Sequence, residues 1–269
     1  MRRLHGIELL DIPRCPRVIR DGATDYLQFI IRTGNAYEPI VPILAQALAN
    51  RGISEIVDLC SGGGGPWPDL RKCLVENGAT AELRVHLTDL YPNVEAFANV
   101  AECDALVSGA REALDIERYS IPMHGLRTFF SSFHHFTPSV AREVLRNAAR
   151  NGDGILIAEV TGRRASAMLF MLLAPLLVWL ATPRLRPFRW SRLFFTYVIP
   201  AIPFVVCYDG IVSCFRTYSV DELRALLTTV EDLPYEWQLG LASGHGLLPV
   251  TYALGFPTSR AVSLRGSDA

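Results

Sequence analysis

The sequence lacks most of the features that would assign it quickly. Its six cysteines, at 15, 60, 73, 103, 207 and 214, form no C-x-x-C pair and no zinc-like cluster. That excludes a disulfide framework and leads us to expect reduced thiols and no metal. Only Lys72 among the 26 basic residues is a lysine, and with 27 acids the net charge is −1, so no global field attracts nucleic acid. No apolar run of signal-peptide length precedes Asp11, which argues for a cytoplasmic chain. Internal repeats and low-complexity linkers are absent, and 269 residues are enough to bury the core of one large α/β domain.

What is present centres on Glu55-Ile-Val-Asp-Leu-Cys-Ser-Gly-Gly-Gly-Gly65. Ile56 and Val57 suit a buried parallel strand, Asp58 stands where that strand emerges, and four glycines permit positive φ and a close backbone approach to a ligand. Pro66 and Pro68 suit the first turn of a helix. A second short strand, Val85-His-Leu-Thr-Asp89, ends in an acid about 24 residues past Gly65, near the spacing of roughly 20 at which a carboxylate meets ribose hydroxyls. This is a nucleotide-type site.

The motif Asp58-Leu-Cys60-Ser-Gly62-Gly-Gly64 resembles the acid-x-Gly-x-Gly-x-Gly of class I S-adenosylmethionine-dependent methyltransferases, with Cys60 in place of the first glycine. The match covers roughly residues 50 to 160. It implies an α/β, Rossmann-like, seven-stranded sheet with S-adenosylmethionine as cofactor. By that resemblance Asp58 would hold the methionine amino group, while Cys60, Ser61, Gly62 and Gly64 would wrap the methionine and ribose. Asp89, with Leu90 beside it, would bind the ribose hydroxyls, and Asp115 would accept from the adenine amino group. Leu126-Arg-Thr-Phe-Phe-Ser-Ser-Phe-His-His-Phe136 resembles the fourth strand and its loop, which adds Ser132 to the cofactor set and brings a His-His pair like that of quinone-pathway members.

Nicotinamide enzymes share such glycine loops. Two features count against them here: about 50 residues precede the first strand, with a helix-like Tyr37–Leu48 segment, and the C-terminus reads as a hairpin. Its strands are Tyr235–Gly240 and Leu248–Leu254, joined by Ser243-Gly-His-Gly246. Strand five is Gly154–Val160, and the helix before it opens with Thr137 as N-cap and Pro138 at the first position.

The sequence then divides into an N-terminal helical extension (1–50), a cofactor-binding core (51–162), an apolar helical insertion (163–208) and a C-terminal completion of the core (209–269). The insertion is the anomaly. Residues 165–182 and 193–207 are mostly apolar, separated by a loop carrying Arg184, Arg186, Arg189 and Arg192. A membrane-spanning hairpin would have to translocate those arginines and accommodate Pro175, Pro200 and Pro203. A peripheral membrane patch with arginines at the headgroups, or a lid or homodimer surface over the active site, are the other two readings. An apolar lid implies a small lipophilic substrate.

Methyl transfer is an in-line displacement that needs alignment and, for some acceptors, a base. His134 and His135, at the carboxyl edge of the sheet, are the candidate bases, with His134 preferred for its place nearer the strand. Tyr26, Asp209, Arg216 and Tyr218 are candidate substrate contacts. Packing of Tyr26 on a helix face and an Asp209–Arg216 ion pair are their structural alternatives. Ser219-Val-Asp-Glu222 reads as a capping box. A SAM-binding protein that does not methylate, a cyclase, and a membrane-surface binding protein remain as alternatives.

Overall fold

The computed structural model describes residues 2–116, 124–151, 154–231, 234–246 and 248–258. Five short strands, β1 (Glu55–Asp58), β2 (Arg84–Leu87), β3 (Val107–Gly109), β4 (Leu126–Phe130) and β5 (Ile155–Glu159), pair in parallel. An antiparallel hairpin of β6 (Tyr235–Ala242) and β7 (Val250–Pro257) adds to β5. The order β3-β2-β1-β4-β5-β7-β6 reverses its direction of growth between β1 and β4. In open α/β sheets such a switch point leaves a ligand crevice at the carboxyl ends of the strands.

Nine helices are described: α1 (Arg17–Thr33), α2 (Val41–Arg51), α3 (Trp67–Glu76), α4 (Val94–Cys103), α5 (Pro138–Asn151), α6 (Ala165–Ala181), α7 (Trp190–Leu193), α8 (Ala201–Arg216) and α9 (Val220–Leu227). Strand side chains alternate between two cores, as a doubly covered sheet requires. Ile56, Leu126, Phe130 and Leu156 meet Leu44, Leu48 and Leu74 on one face. Val57, Phe129, Ile155 and Ile157 meet Leu145, Leu223 and Leu227 on the other. The start signals hold: Pro138 opens α5, and Ser219 with Glu222 forms a capping box on α9.

A third core joins the insertion to the N-terminal extension. Ile19, Ala23 and Tyr26 of α1 pack on Ala174 and Val178 of α6 and on Ile202, Val205 and Val206 of α8. Helix α6 is turned inside out relative to an ordinary amphipathic helix. It buries Ala167, Ala174, Val178 and Ala181 and leaves Leu169, Leu172, Leu173, Leu176, Trp179 and Leu180 in the open.

The loop after α6 departs from expectation. Arg184 and Arg186 are exposed, but Arg189 reaches Glu95 at 2.9 Å, and Arg192 is buried against Asp25 at 2.6 Å while donating to the Leu185 and Pro187 carbonyls. Helix α8 also runs unbroken through residue 208, where the sequence suggests the insertion ends.

Asp58 pairs across the sheet with Thr128 of β4, whose Oγ1 donates to its carboxylate at 2.6 Å. Burial lifts its pKa to about 7, against the pull of the Thr128 hydrogen bond. The folded state therefore holds a proton that an unfolded Asp releases near pH 4, and stability should fall as pH rises from about 4 to 7. Asp58→Asn should flatten that slope by about 2–4 kcal/mol across the window, measured as the difference in pH-dependent denaturant midpoints; equal slopes would remove the assignment. Arg192→Ala strands the Asp25 carboxylate and should cost about 3–5 kcal/mol, read as a lower midpoint at unchanged denaturant slope.

Candidate functional site

The glycine loop follows β1 in a tight, hydrogen-bonded path. Ser61 N–H donates to Thr88 O at 2.9 Å, and Gly64 N–H donates to Ser61 O at 2.8 Å. Gly62, Gly64 and Gly65 take φ of 56°, 99° and 51°, values that disfavour any side chain. Cys60 also adopts a positive φ, 59°, which shows why a glycine would be at ease at this position. Helix α1 lies directly over the loop: a Cβ on Gly63 would sit 2.9 Å from Thr24 O, and Gln28 donates to Gly63 O.

Beside the loop, Asp89 accepts from Gly62 N–H and Tyr91 N–H, each at 2.7 Å. Burial raises its pKa, and the two backbone donors hold that rise in check. An ionised carboxylate has about four acceptor directions, so two remain for a ligand's hydroxyls.

Loop, strand ends and insertion enclose a cavity of about 550 Å³, within the usual range for small-molecule sites. Of the residues expected from sequence, Cys60, Ser61, Gly62, Asp89, Leu90, Ser132, His134, His135, Tyr26 and Asp209 lie on its wall. One end is formed by the glycine loop, Asp89 and Tyr91. The other is apolar, with Phe136, Phe170, Met171, Ala174 and Val206.

The remaining expected residues stand behind the wall. Asp58 is buried under the loop, held by Thr128. Gly64 is sandwiched against Gln28 and Val100, where a Cβ would approach within 2.9 Å of either. Asp115 sits in the segment after β3, whose Leu114 N–H donates to Asp89 O, so it borders the Asp89 turn without reaching the cavity. Tyr218 donates to Phe136 O at 2.8 Å under the Arg3 guanidinium. The expected Asp209–Arg216 pair is replaced by two separate anchors. Asp209 accepts from Leu9 N–H and Leu10 N–H, while Arg216 binds Glu8, Asp11 and the carbonyls of His134 and His135. Burial raises the Asp209 pKa to about 6, with the backbone donors opposing. Tyr26 both packs in the third core and lines the cavity; its hydroxyl is buried without a hydrogen-bond partner, and burial pushes its pKa up.

The histidine pair is the chemical centre of this wall. The rings stack at 4.5 Å. His134 is buried, with Nδ1 2.7 Å from Glu159 Oε2 and Nε2 3.5 Å from Glu8 Oε1. Burial opposes its charge, but Glu159 and Glu8 more than offset that and hold the pKa up at about 10. A pKa raised in this way counts against His134 as the base. His135 is partly open to the cavity, its Nδ1 3.0 Å from Asp11.

Sequence reasoning missed Glu8, Asp11, Arg3 and Glu159. Glu159 carries a visible signal, an acid at the end of a buried strand like Asp58 and Asp89. The other three come from an N-terminal stretch with no periodic pattern. The expectation that no metal-ligating cluster exists also fails, because Glu8 folds beside both histidines.

No protein-family model and no curated protein matches the chain. Among solved structures, an O-methyltransferase family protein from Burkholderia thailandensis aligns with a TM-score of 0.50 at 15% identity, over 86% of this chain and 59% of that one. Human N-acetylserotonin methyltransferase, in complex with SAM, aligns with a TM-score of 0.50 at 11% identity, over 87% and 56%. This chain thus spans less than two thirds of either. With the strand order and the C-terminal hairpin, these likenesses show that the chain has the class I S-adenosylmethionine-dependent methyltransferase fold.

Proposed function

We propose that the protein transfers a methyl group from S-adenosylmethionine to a small lipophilic acceptor that it meets at a membrane surface. One observation carries the first half: the glycine loop and Asp89 form one end of a cavity at the β1–β4 switch point, and the other end is apolar. The bound cofactor supplies an electrophilic methyl on sulfur. Ser61 and Gly62 present backbone to its methionine and ribose, Asp89 takes the ribose hydroxyls, and Leu90 and Ser132 close the sides. Asp58 supports the loop from below. The apolar end, with Tyr26 and Asp209 on its wall, aligns the acceptor; alignment is the larger part of such catalysis. Where the acceptor must lose a proton, His135 is the member of the pair placed to take it.

The membrane half rests on α6. A helix that buries alanines and presents leucines and a tryptophan outward has an apolar medium as its outer partner. Trp190, 78% exposed, with Phe188, Phe194 and the exposed Arg184 and Arg186, supplies the aromatic and basic groups that sit at headgroups. The 20-residue stretch Ala165–Arg184 is long and apolar enough to cross a bilayer. Its candidate return, Trp190–Val198 with Ala201–Arg216, is bent by 75° and carries the buried Arg192, Asp209 and Arg216, which favours lying in one leaflet over spanning.

Calorimetric titration with S-adenosylhomocysteine should give saturable binding, and NADH should give none. Asp89→Ala should weaken binding by about 1–3 kcal/mol; binding of NADH alone, or an unaffected variant, would overturn the cofactor assignment. In flotation with phosphatidylcholine–phosphatidylglycerol vesicles the chain should rise with the lipid, and the Leu172→Glu/Leu176→Glu variant should stay behind with an unchanged circular dichroism spectrum. A parent that stays behind as a concentration-dependent dimer would give the face to a second copy instead.

A further inference from the structure

Three ligating groups converge at the cavity wall where the sequence suggests none. One carboxylate oxygen of Glu8 and one ring nitrogen each of His134 and His135 all lie within 4.8 Å of one another. Glu8 Oε1 lies 3.5 Å from His134 Nε2, and Glu8 Oε2 lies 3.8 Å from His135 Nε2. Ligands on a tetrahedral ion with bonds of about 2.0–2.1 Å are separated by about 3.4 Å, so small side-chain movements close the set.

The surroundings carry the argument further than the cluster alone. Each histidine has its other nitrogen bonded to a carboxylate, His134 Nδ1 to Glu159 at 2.7 Å and His135 Nδ1 to Asp11 at 3.0 Å. This carboxylate–histidine backing puts a proton on Nδ1 and turns Nε2 away from it toward the cluster, the arrangement that metal-ligating histidines use. His134 Nε2 is itself fully buried and makes no hydrogen bond. Glu8 is oriented by Ser213 Oγ at 3.0 Å and Arg216 at 3.2 Å, both on Oε1, which leaves Oε2 toward His135.

Charge points the same way. Among the described residues this edge gathers four buried or half-buried carboxylates, Glu8, Asp11, Glu159 and Asp209, around two guanidiniums, Arg216 and Arg3. The carboxylates outnumber the guanidiniums by two, an excess of negative charge that favours a cation at this edge.

We propose that Glu8, His134 and His135 bind a divalent transition-metal ion through two imidazole nitrogens and one carboxylate, with its open positions toward the apolar end of the cavity. On binding, the ion takes the Nε2 lone pairs, and any proton on them leaves to solvent. Zinc suits this donor set, and so do cobalt(II) and iron(II). The open positions would accept an oxygen of the methyl acceptor and lower its pKa, in which case neither histidine is the base. The site itself does not depend on the methyltransferase reading.

The test uses untagged, chelator-treated full-length protein titrated with cobalt(II) and, separately, zinc. One equivalent of cobalt should give a saturable visible absorption that zinc displaces. His135→Gln, on the cavity wall, should lose at least a hundredfold in affinity. Asp11→Asn, which removes the carboxylate behind His135 together with its pairing to Arg216, should lose roughly 10–100-fold while S-adenosylhomocysteine binds as in the parent. Absence of saturable binding in the parent, or parental affinity in His135→Gln with a native circular dichroism spectrum, overturns the site.

Discussion

Three buried carboxylates at one sheet edge, with Asp11 at its rim, set the terms for much of this molecule, because buried charges are tolerated only when each is paired or hydrogen-bonded. Glu159 arrives at the end of β5 and Glu8 and Asp11 on the N-terminal segment, while Asp209 comes from α8. Each is partnered from a different part of the chain: Glu159 by His134 and Asp11 by His135, both after β4, Glu8 and Asp11 by Arg216 at the end of α8, and Asp209 by the amides of Leu9 and Leu10. The network therefore binds the extension, the core and the insertion into one body. It is complete only once Arg216 is in place. The same constraint shapes the cavity, since Glu8, Asp11, His134, His135 and Asp209 of this network form part of its wall.

The insertion answers a second constraint. Its inner side must fit closely over α1, and small residues at the helix contact allow that; its outer side is leucine, tryptophan and phenylalanine. A soluble monomer gains nothing from that outer surface. One element thus serves as both lid and apolar surface. Phe170, Met171 and Ala174 line the cavity from the helix that carries Leu172 and Leu176 outward, so one helix thickness separates the cavity from the outer apolar face.

What could be read from sequence was what short-range pattern encodes. The strand–glycine loop–helix of residues 55–76, the strand ending at Asp89, the proline-opened α5 and the hairpin all show themselves in stretches of a few residues, where alternation and turn chemistry decide structure. The site's charged wall was illegible for the opposite reason. Glu8 and Arg216 lie about as far apart in the chain as two partners can, and nothing local to Gly6-Ile-Glu-Leu marks it as buried. Asp209 and Arg216 were visible as unusual charges after an apolar run, but their nearness in sequence suggested an ion pair between them. Each instead holds a different part of the N-terminal segment. Asp58 shows the limit of a motif: its position is as the resemblance implies, but burial and Thr128 place it beneath the loop.

The two ends of the cavity share one cover, and this follows from the Arg192–Asp25 contact. Helix α1 lies over the glycine loop through Thr24 and Gln28, and α6 lies over the apolar end. The buried ion pair and the third core fasten the insertion to α1. Interfaces packed this closely do not deform continuously; they move as bodies or stay. Helices α1 and α6 are therefore parts of one packed cover that spans both the glycine loop and the apolar lining, with Asp25 and Arg192 as its buried polar link.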